Sequence, residues 1–137
     1  MAVAPLNQVE RVVQYAVNNI PPDKILMGIP NYGYDWELPF VRGLSQAVSI
    51  GNQHAVQIAV ENGVPIQYDP VAQSPFFRYR DGDTEHEVWF EDVRSIQAKY
   101  DLLHSHSLFG SGYWNVMRPF AQNWAFLSTQ YNIKKFV

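Results

Sequence analysis

The stretch Lys24 to Trp36, KILMGIPNYGYDW, constrains the fold of this chain more than any other. Ile25-Leu26-Met27 is an apolar run with Pro22 ahead of it and Gly28, Pro30 and a cluster of aromatics behind it. A run of that length between Gly/Pro punctuation predicts a strand covered on both faces, the kind found in parallel α/β sheets. Side chains alternate along an extended chain. If the extended conformation continues past Pro30, Tyr32, Tyr34 and Trp36 therefore project to one face. An aromatic wall is then expected where the strand ends.

The segments on either side carry the same α/β rhythm. From Pro5 to Ile20, apolar residues recur at three- and four-residue steps (Leu6, Val9, Val13, Ala16, Val17, Ile20), which predicts an amphipathic helix entered at Pro5 and stopped by Pro21-Pro22. After Glu37 the pattern changes. Leu38-Pro39-Phe40 and Arg42-Gly43 read as a connector, Asn52 to Glu61 as a short helix stopped at Gly63, and Ile66-Gln67-Tyr68 as a short strand. Phe76 to Arg80 and His86 to Phe90 flank the polar turn Asp81-Gly82-Asp83-Thr84 and predict a β-hairpin. Residues 37–87 are accordingly expected to form an inserted α+β subdomain, with 1–36 and 88–137 as the α/β part. Asp92 is placed to cap a helix running through Ile96, Ala98, Tyr100, Leu102 and Leu103. LFGSGYW, Leu108 to Trp114, predicts a second buried strand in which Gly110 and Gly112 share a face with Trp114. Phe120 to Tyr131 closes the chain as a helix.

Composition narrows the partners. The formal charge is −3, and no basic cluster exceeds the pair Lys134-Lys135, which argues against nucleic acid. Aromatics make up 15% of the residues, more than a core of this size needs, which points to a surface that stacks flat ligands or sugars. With 137 residues, a single domain is expected, with at most a small subdomain. There is no cysteine, hence no disulfide, thiolate metal site or cysteine nucleophile. No apolar run approaches the roughly 20 residues of a membrane span, and MAVAPLNQVE shows no signal-peptide pattern. The four histidines, His54, His86, His104 and His106, have no metal-ligand spacing, so neither metal nor cofactor is expected.

Several ordered motifs together resemble one family. Gly28-x-Pro30-x-Tyr32-Gly33, the segment AQSPFF (72–77), VWFED-x-x-SI-x-x-K (88–99) and FGSGYW (109–114) resemble the C-terminal part of the chitinase-type glycoside hydrolases of family 18. Within that family the likeness is to bacterial spore-cortex-lytic and spore-germination N-acetylglucosaminidases. The resemblance implies strands seven and eight of a (β/α)₈ barrel with their flanking helices, and an α+β insertion after strand seven. A whole barrel takes about 250 residues, so roughly half of one is implied. The family's catalytic D-x-x-D-x-E and its M-x-Y-D motif do not occur in this sequence. Family enzymes use substrate-assisted retention, in which the acetamido oxygen of the sugar attacks the anomeric carbon. Without the acid that protonates the leaving oxygen, this chain by itself is expected to be inactive.

The resemblance assigns no catalytic residue here and five substrate-binding candidates. Trp114 carries over as the floor of the sugar site next to the scissile bond, where an indole stacks on the apolar face of a pyranose. Tyr32 matches a cleft-lining tyrosine. Tyr34 stands where many chitinases carry arginine, so a fixed cation is lost there. Trp36 either forms a further subsite or packs the insertion against the barrel. Asn115 either bonds a sugar hydroxyl or, as the favoured reading, serves as a turn residue. Asp81-Gly82-Asp83-Thr84-Glu85 mimics an acidic signature but reads as a hairpin turn. Glu91-Asp92 is read as capping the next helix rather than as an acid pair, and Ser111 lacks the context of a nucleophile.

The expected partner is an N-acetylglucosamine-containing oligo- or polysaccharide, chitin or peptidoglycan, met outside the cell or at the spore. A non-catalytic sugar-binding module is the alternative. Self-association through an uncovered barrel surface is a third expectation, since open sheet edges and bare apolar faces invite pairing.

Overall fold

A computed structural model describes residues 1–134. Of the predicted basic pair, Lys135 lies outside the described residues. Helix α1 (Leu6–Val17) starts directly after Pro5 and ends three residues before the expected stop. There the Asn19 and Ile20 amides bond back to the Ala16 carbonyl, closing the helix before Pro21 is reached. One 3₁₀ turn, Pro22–Lys24, leads into β1 (Leu26–Pro30). β1 pairs in parallel with β7 (Gly110–Trp114), in the register Leu26 to Gly110 through Pro30 to Trp114.

The two strands are covered on one face only, not on both. Met27 and Ile29 turn towards α1, α3 (Val93–Ser105) and α4 (Ala121–Gln130), packing with Val13, Ile96, Leu103 and Leu127. On the opposite face Leu26 is 61% exposed and Gly28 and Gly112 carry no side chain to cover it. An apolar run alone reports burial potential, not which side neighbouring elements occupy. Here all three helices stack on the same side.

The aromatic segment does not prolong β1. After Pro30, Asn31 turns the chain away, and β2 (Gly33–Leu38) enters a second sheet of order β3-β2-β6-β5-β4. This sheet is antiparallel throughout and comprises β3 (Val48–Ile50), β4 (Gln67–Asp69), β5 (Ser74–Asp81) and β6 (Thr84–Trp89). Helix α2 (Asn52–Glu61) packs on one face, burying Ala55 and Ala59 against Phe77, Val88 and Phe90. Gly82, at φ +57°, makes the two-residue turn between β5 and β6, so the acidic segment is a hairpin turn as expected. Asp92 caps α3 in a reciprocal box: its carboxylate accepts from the Ser95 amide (3.0 Å) and the Ser95 hydroxyl accepts from the Asp92 amide (2.9 Å). The Leu38–Pro39 and Trp114–Asn115 peptide bonds are cis.

Gly33 is where the two sheets meet. A Cβ there would collide with the Trp89 carbonyl oxygen and come within 2.8 Å of Phe90 Cβ, a backbone atom and the root of a side chain on the segment returning from the second sheet. Neither obstacle is a flexible side-chain tip. Gly33→Ala is expected to lower stability by about 1–3 kcal/mol, read as the shift in a urea or thermal unfolding midpoint with secondary structure retained below the transition.

Candidate functional site

The site is built around Asn31, the residue between the two sheets. Its side chain is fully buried. Its amide Nδ2 donates to the carbonyls of Asn115 (2.7 Å) and Arg118 (2.9 Å), and its backbone N–H donates to the Trp114 carbonyl at 2.7 Å. Its Oδ1 lies 3.5 Å from Asn52 Nδ2, and Asn52 Oδ1 accepts the Glu91 amide at 2.9 Å. One chain of buried amides thus joins the end of β1, the loop after β7, the start of α2 and the start of α3.

Trp114 ends β7 with 71% of its surface exposed, on the face left bare by Gly110 and Gly112. Tyr32 follows Asn31, and the Arg118 guanidinium lies 6.0 Å from the centre of its ring. Tyr32, Tyr34, Trp36 and Phe40 form a row of edge-to-face contacts with centroids 5.6, 5.6 and 5.4 Å apart. The aromatics therefore share one side although their strand is not a continuation of β1. Burial raises the Tyr32 hydroxyl above its usual pKa, as does the Tyr34 hydroxyl beside it, against the opposing charge of Arg118. The phenol stays neutral and able to donate.

The remaining candidates divide. Trp36 packs on Phe40 and donates its indole N–H to the Met1 carbonyl (3.0 Å), which places it against the N-terminal segment. Asn115 Oδ1 accepts the Met117 amide at 3.1 Å, a turn contact, and its carbonyl is held by Asn31. Sequence reasoning passed over Asn31, Asn52 and Arg118. Asn31 sits inside the Gly-x-Pro-x-Tyr-Gly pattern at a position marked as variable, and no local pattern announces that Asn52, 21 residues on, will meet it.

Two charge clusters lie at α3 and on the second sheet. Glu91 and Lys99 are each 1% exposed and bonded at 2.9 Å, with the Ser95 hydroxyl donating to the same carboxylate oxygen at 2.6 Å. Glu91 thus pairs with Lys99 while Asp92 alone does the capping. Burial pushes the Glu91 carboxyl above the usual carboxylate range, and Lys99 and Ser95 pull it back. On the second sheet, burial also raises Glu87, but the Trp89 indole N–H (2.7 Å) and Arg78 (2.8 Å) outweigh it. The net result holds Glu87 below the usual range.

The histidines are occupied by side-chain partners where partners are present. His86 Nδ1 is 2.9 Å from Asp35 Oδ1, and Tyr79 donates to the other Asp35 oxygen at 2.7 Å. His104 Nε2 bonds the Tyr131 hydroxyl at 2.7 Å, and Ser111 bonds Tyr100 at 2.8 Å. No helix is long and apolar enough to cross a membrane among the described residues.

The described residues thus form a parallel strand pair ending in an exposed tryptophan, with an antiparallel sheet inserted after its first strand. The chain belongs to glycosyl hydrolases family 18, whose family model matches residues 2–118. Its fold is that of the C-terminal part of the family's barrel. It is 48% identical to the cortical fragment-lytic enzyme of Bacillus subtilis (strain 168) over 98% of this chain and 31% of that protein. The spore cortex-lytic enzyme SleL of Bacillus megaterium QM B1551 superposes on the whole chain with a TM-score of 0.92 at 48% identity, over 32% of its own length. A chitinase from Chromobacterium violaceum ATCC 12472 gives a TM-score of 0.75 at 29% identity, over 85% of this chain and 35% of that one. The chain spans about a third of the length of these relatives.

Two outcomes follow from the charge clusters. Lys99→Ala strands a buried carboxylate and is expected to cost about 3–5 kcal/mol, whereas Lys99→Met with Glu91→Leu removes both charges and recovers most of that in chemical denaturation. Glu87 has a folded pKa below its unfolded value, so its stabilisation is present above the ordinary carboxylate range and is lost as pH falls through the folded value. Between about pH 6 and about pH 3, the melting temperature should fall further in the wild type than in Glu87→Gln; parallel curves would contradict the assignment.

Proposed function

We propose that this chain forms one wall and part of the floor of the cleft of a glycosidase that hydrolyses β-linked N-acetylglucosamine glycans, chitin or peptidoglycan, by substrate-assisted retention. The observation that carries the reading is Trp114, exposed at the C-terminal end of a barrel strand above the bare Gly110 and Gly112. Active sites of such barrels gather at that end, and an unobstructed indole offers the apolar surface a pyranose needs. Tyr32 and Tyr34 continue the wall, Trp36 extends or braces it, and Asn115 shapes the turn beside it with its carbonyl and side chain both engaged. The antiparallel sheet, which opens at Gly33 and ends at Trp89 rather than spanning 37–87, acts as the insertion subdomain that raises this wall, and the residues on either side of it as the barrel segment.

Hydrolysis needs an acid that this chain does not supply, since D-x-x-D-x-E is missing from its sequence. The role of the chain is therefore binding and orientation, with the protonating carboxyl contributed from outside these 137 residues. The likeness to cortex-lytic enzymes favours a site of action at the spore or outside the cell. The row Tyr32–Tyr34–Trp36 favours a second reading, a carbohydrate-binding module that holds glycan without cleaving it. Exposed Leu26 and Phe109 along the open strand pair likewise favour association with further polypeptide, a second copy included.

Titrating chitooligosaccharides while following tryptophan fluorescence tests the shared element of these readings. Trp114→Ala is expected to weaken binding about tenfold, ~1.4 kcal/mol. Unchanged affinity would remove Trp114 from the site. Hydrolysis of a fluorogenic N-acetylglucosamine oligomer by this chain alone would contradict the assignment of the acid to another segment.

A further inference from the structure

We propose that Asn31 is a positioning residue that sets Trp114 against Tyr32 through the loop Trp114–Arg118, with Asn52 as its support. The inference rests on the reading of Trp114 as a sugar platform and adds what holds that platform in place.

Trp114 cannot be oriented by side-chain packing in the way a core tryptophan is. It is 71% exposed, and its neighbours along the same face of β7 are glycines. Its placement is therefore inherited from its backbone, and the residues that follow it leave regular structure until α4 begins at Ala121. Three donors from the single residue Asn31 grip this segment at three carbonyls, those of Trp114 (2.7 Å), Asn115 (2.7 Å) and Arg118 (2.9 Å). Asn31 is fully buried, so water does not compete for these bonds and each one lost strands a carbonyl.

The far end of the loop returns to the other aromatic. Arg118 donates from Nη2 to the Ser49 carbonyl (3.2 Å) and lays its guanidinium over the Tyr32 ring at 6.0 Å. Tyr32 is itself the residue after Asn31. One residue therefore fixes both the end of β7, through its backbone N–H, and the loop that lies over Tyr32, through its side chain, so the gap between the two rings depends on it.

The chemistry of asparagine suits the position. Two carbonyls face the Nδ2 group and need two N–H donors, while Oδ1 faces the Asn52 amide. Aspartate would turn a carboxylate towards two carbonyl oxygens, and serine has one donor for two acceptors. Asn52 is itself 2% exposed and anchored through the Glu91 amide at 2.9 Å, which ties the orientation of the Asn31 side chain to the buried junction of the two sheets.

A double-mutant cycle on the whole natural polypeptide that carries this chain separates positioning from general folding. Affinity for chitotetraose is measured by calorimetry for the wild type, Asn31→Ala, Trp114→Ala and the double variant, each checked for folding by circular dichroism. Asn31→Ala should weaken binding about tenfold in the wild-type background and less than about twofold when Trp114 is already alanine. Asn52→Ala, which keeps both Asn31 donors to the loop, should weaken binding about threefold and lose that effect in the same background. It replaces Asn31→Ala in the cycle should the latter not fold. Equal losses in both backgrounds, or wild-type affinity in folded Asn31→Ala, would overturn the proposal while leaving Trp114 in place as a sugar platform. If Trp114→Ala alone binds as tightly as the wild type, the platform reading fails and this proposal fails with it.

Discussion

The structure depends on a single buried amide at the point where two kinds of sheet diverge. A parallel strand pair and an antiparallel sheet cannot share a hydrogen-bond ladder through Asn31, because the chain changes direction there. The polar groups exposed by that change must find partners inside protein, since a buried N–H or C=O left unpaired costs about 1–3 kcal/mol. Asn31 meets the requirement by donating three times and accepting once. Those same bonds carry the constraint outwards to the loop that bears Trp114. The requirement to satisfy backbone groups at a junction and the anchoring of the segment from Trp114 to Arg118 are met by one residue.

The asymmetry of cover around β1 and β7 follows from the same layout. Helices α1, α3 and α4 bury Met27 and Ile29 on one face, while Leu26, Gly28 and Gly112 face outwards. In a closed barrel that second face is the interior, filled by layers of side chains drawn from alternate strands. Two strands cannot fill it, and this chain spans about a third of the length of its relatives. The bare glycines beside Trp114 and the exposed Leu26 are therefore two consequences of one geometry, a strand pair covered by helices on one face only.

The order of elements was legible because each was announced by a local signal. Asp92 marked a helix start and Asp81-Gly82 a hairpin turn, and both sit where the pattern put them, while the helix ahead of Pro21-Pro22 closes three residues early on its own backbone bonds. The aromatics Tyr32, Tyr34 and Trp36 could be placed on one side from their alternation, and they are. What the pattern could not convey was that Gly33 opens a new sheet, since extended backbone looks the same whichever partner it pairs with. Nor could it convey one-sided cover of β1, which is a property of neighbours. The buried polar chain was illegible for the same reason: Asn31, Asn52 and Glu91 are far apart in sequence, and asparagine next to proline and tyrosine reads as a turn.

The Glu91–Lys99 pair shows why this junction is polar rather than oily. Burying two charges gains little net stability over a well-packed apolar pair, so its value lies in what it orients. The Glu91 carboxylate fixes Ser95 in the first turn of α3, and the Glu91 amide is what Asn52 accepts. An apolar residue at position 91 would leave the amide free to donate but would release the carboxylate-to-helix anchor that determines its direction. The ion pair, the cap at Asp92 and the amide chain to Asn31 thus act in series, from the outer helix through the seam between the sheets to the strand ends. Two sheets joined end to end stay rigid only if such a seam resists sliding. Directional bonds between buried polar groups resist it better than apolar contact, which tolerates small displacements at little energetic cost.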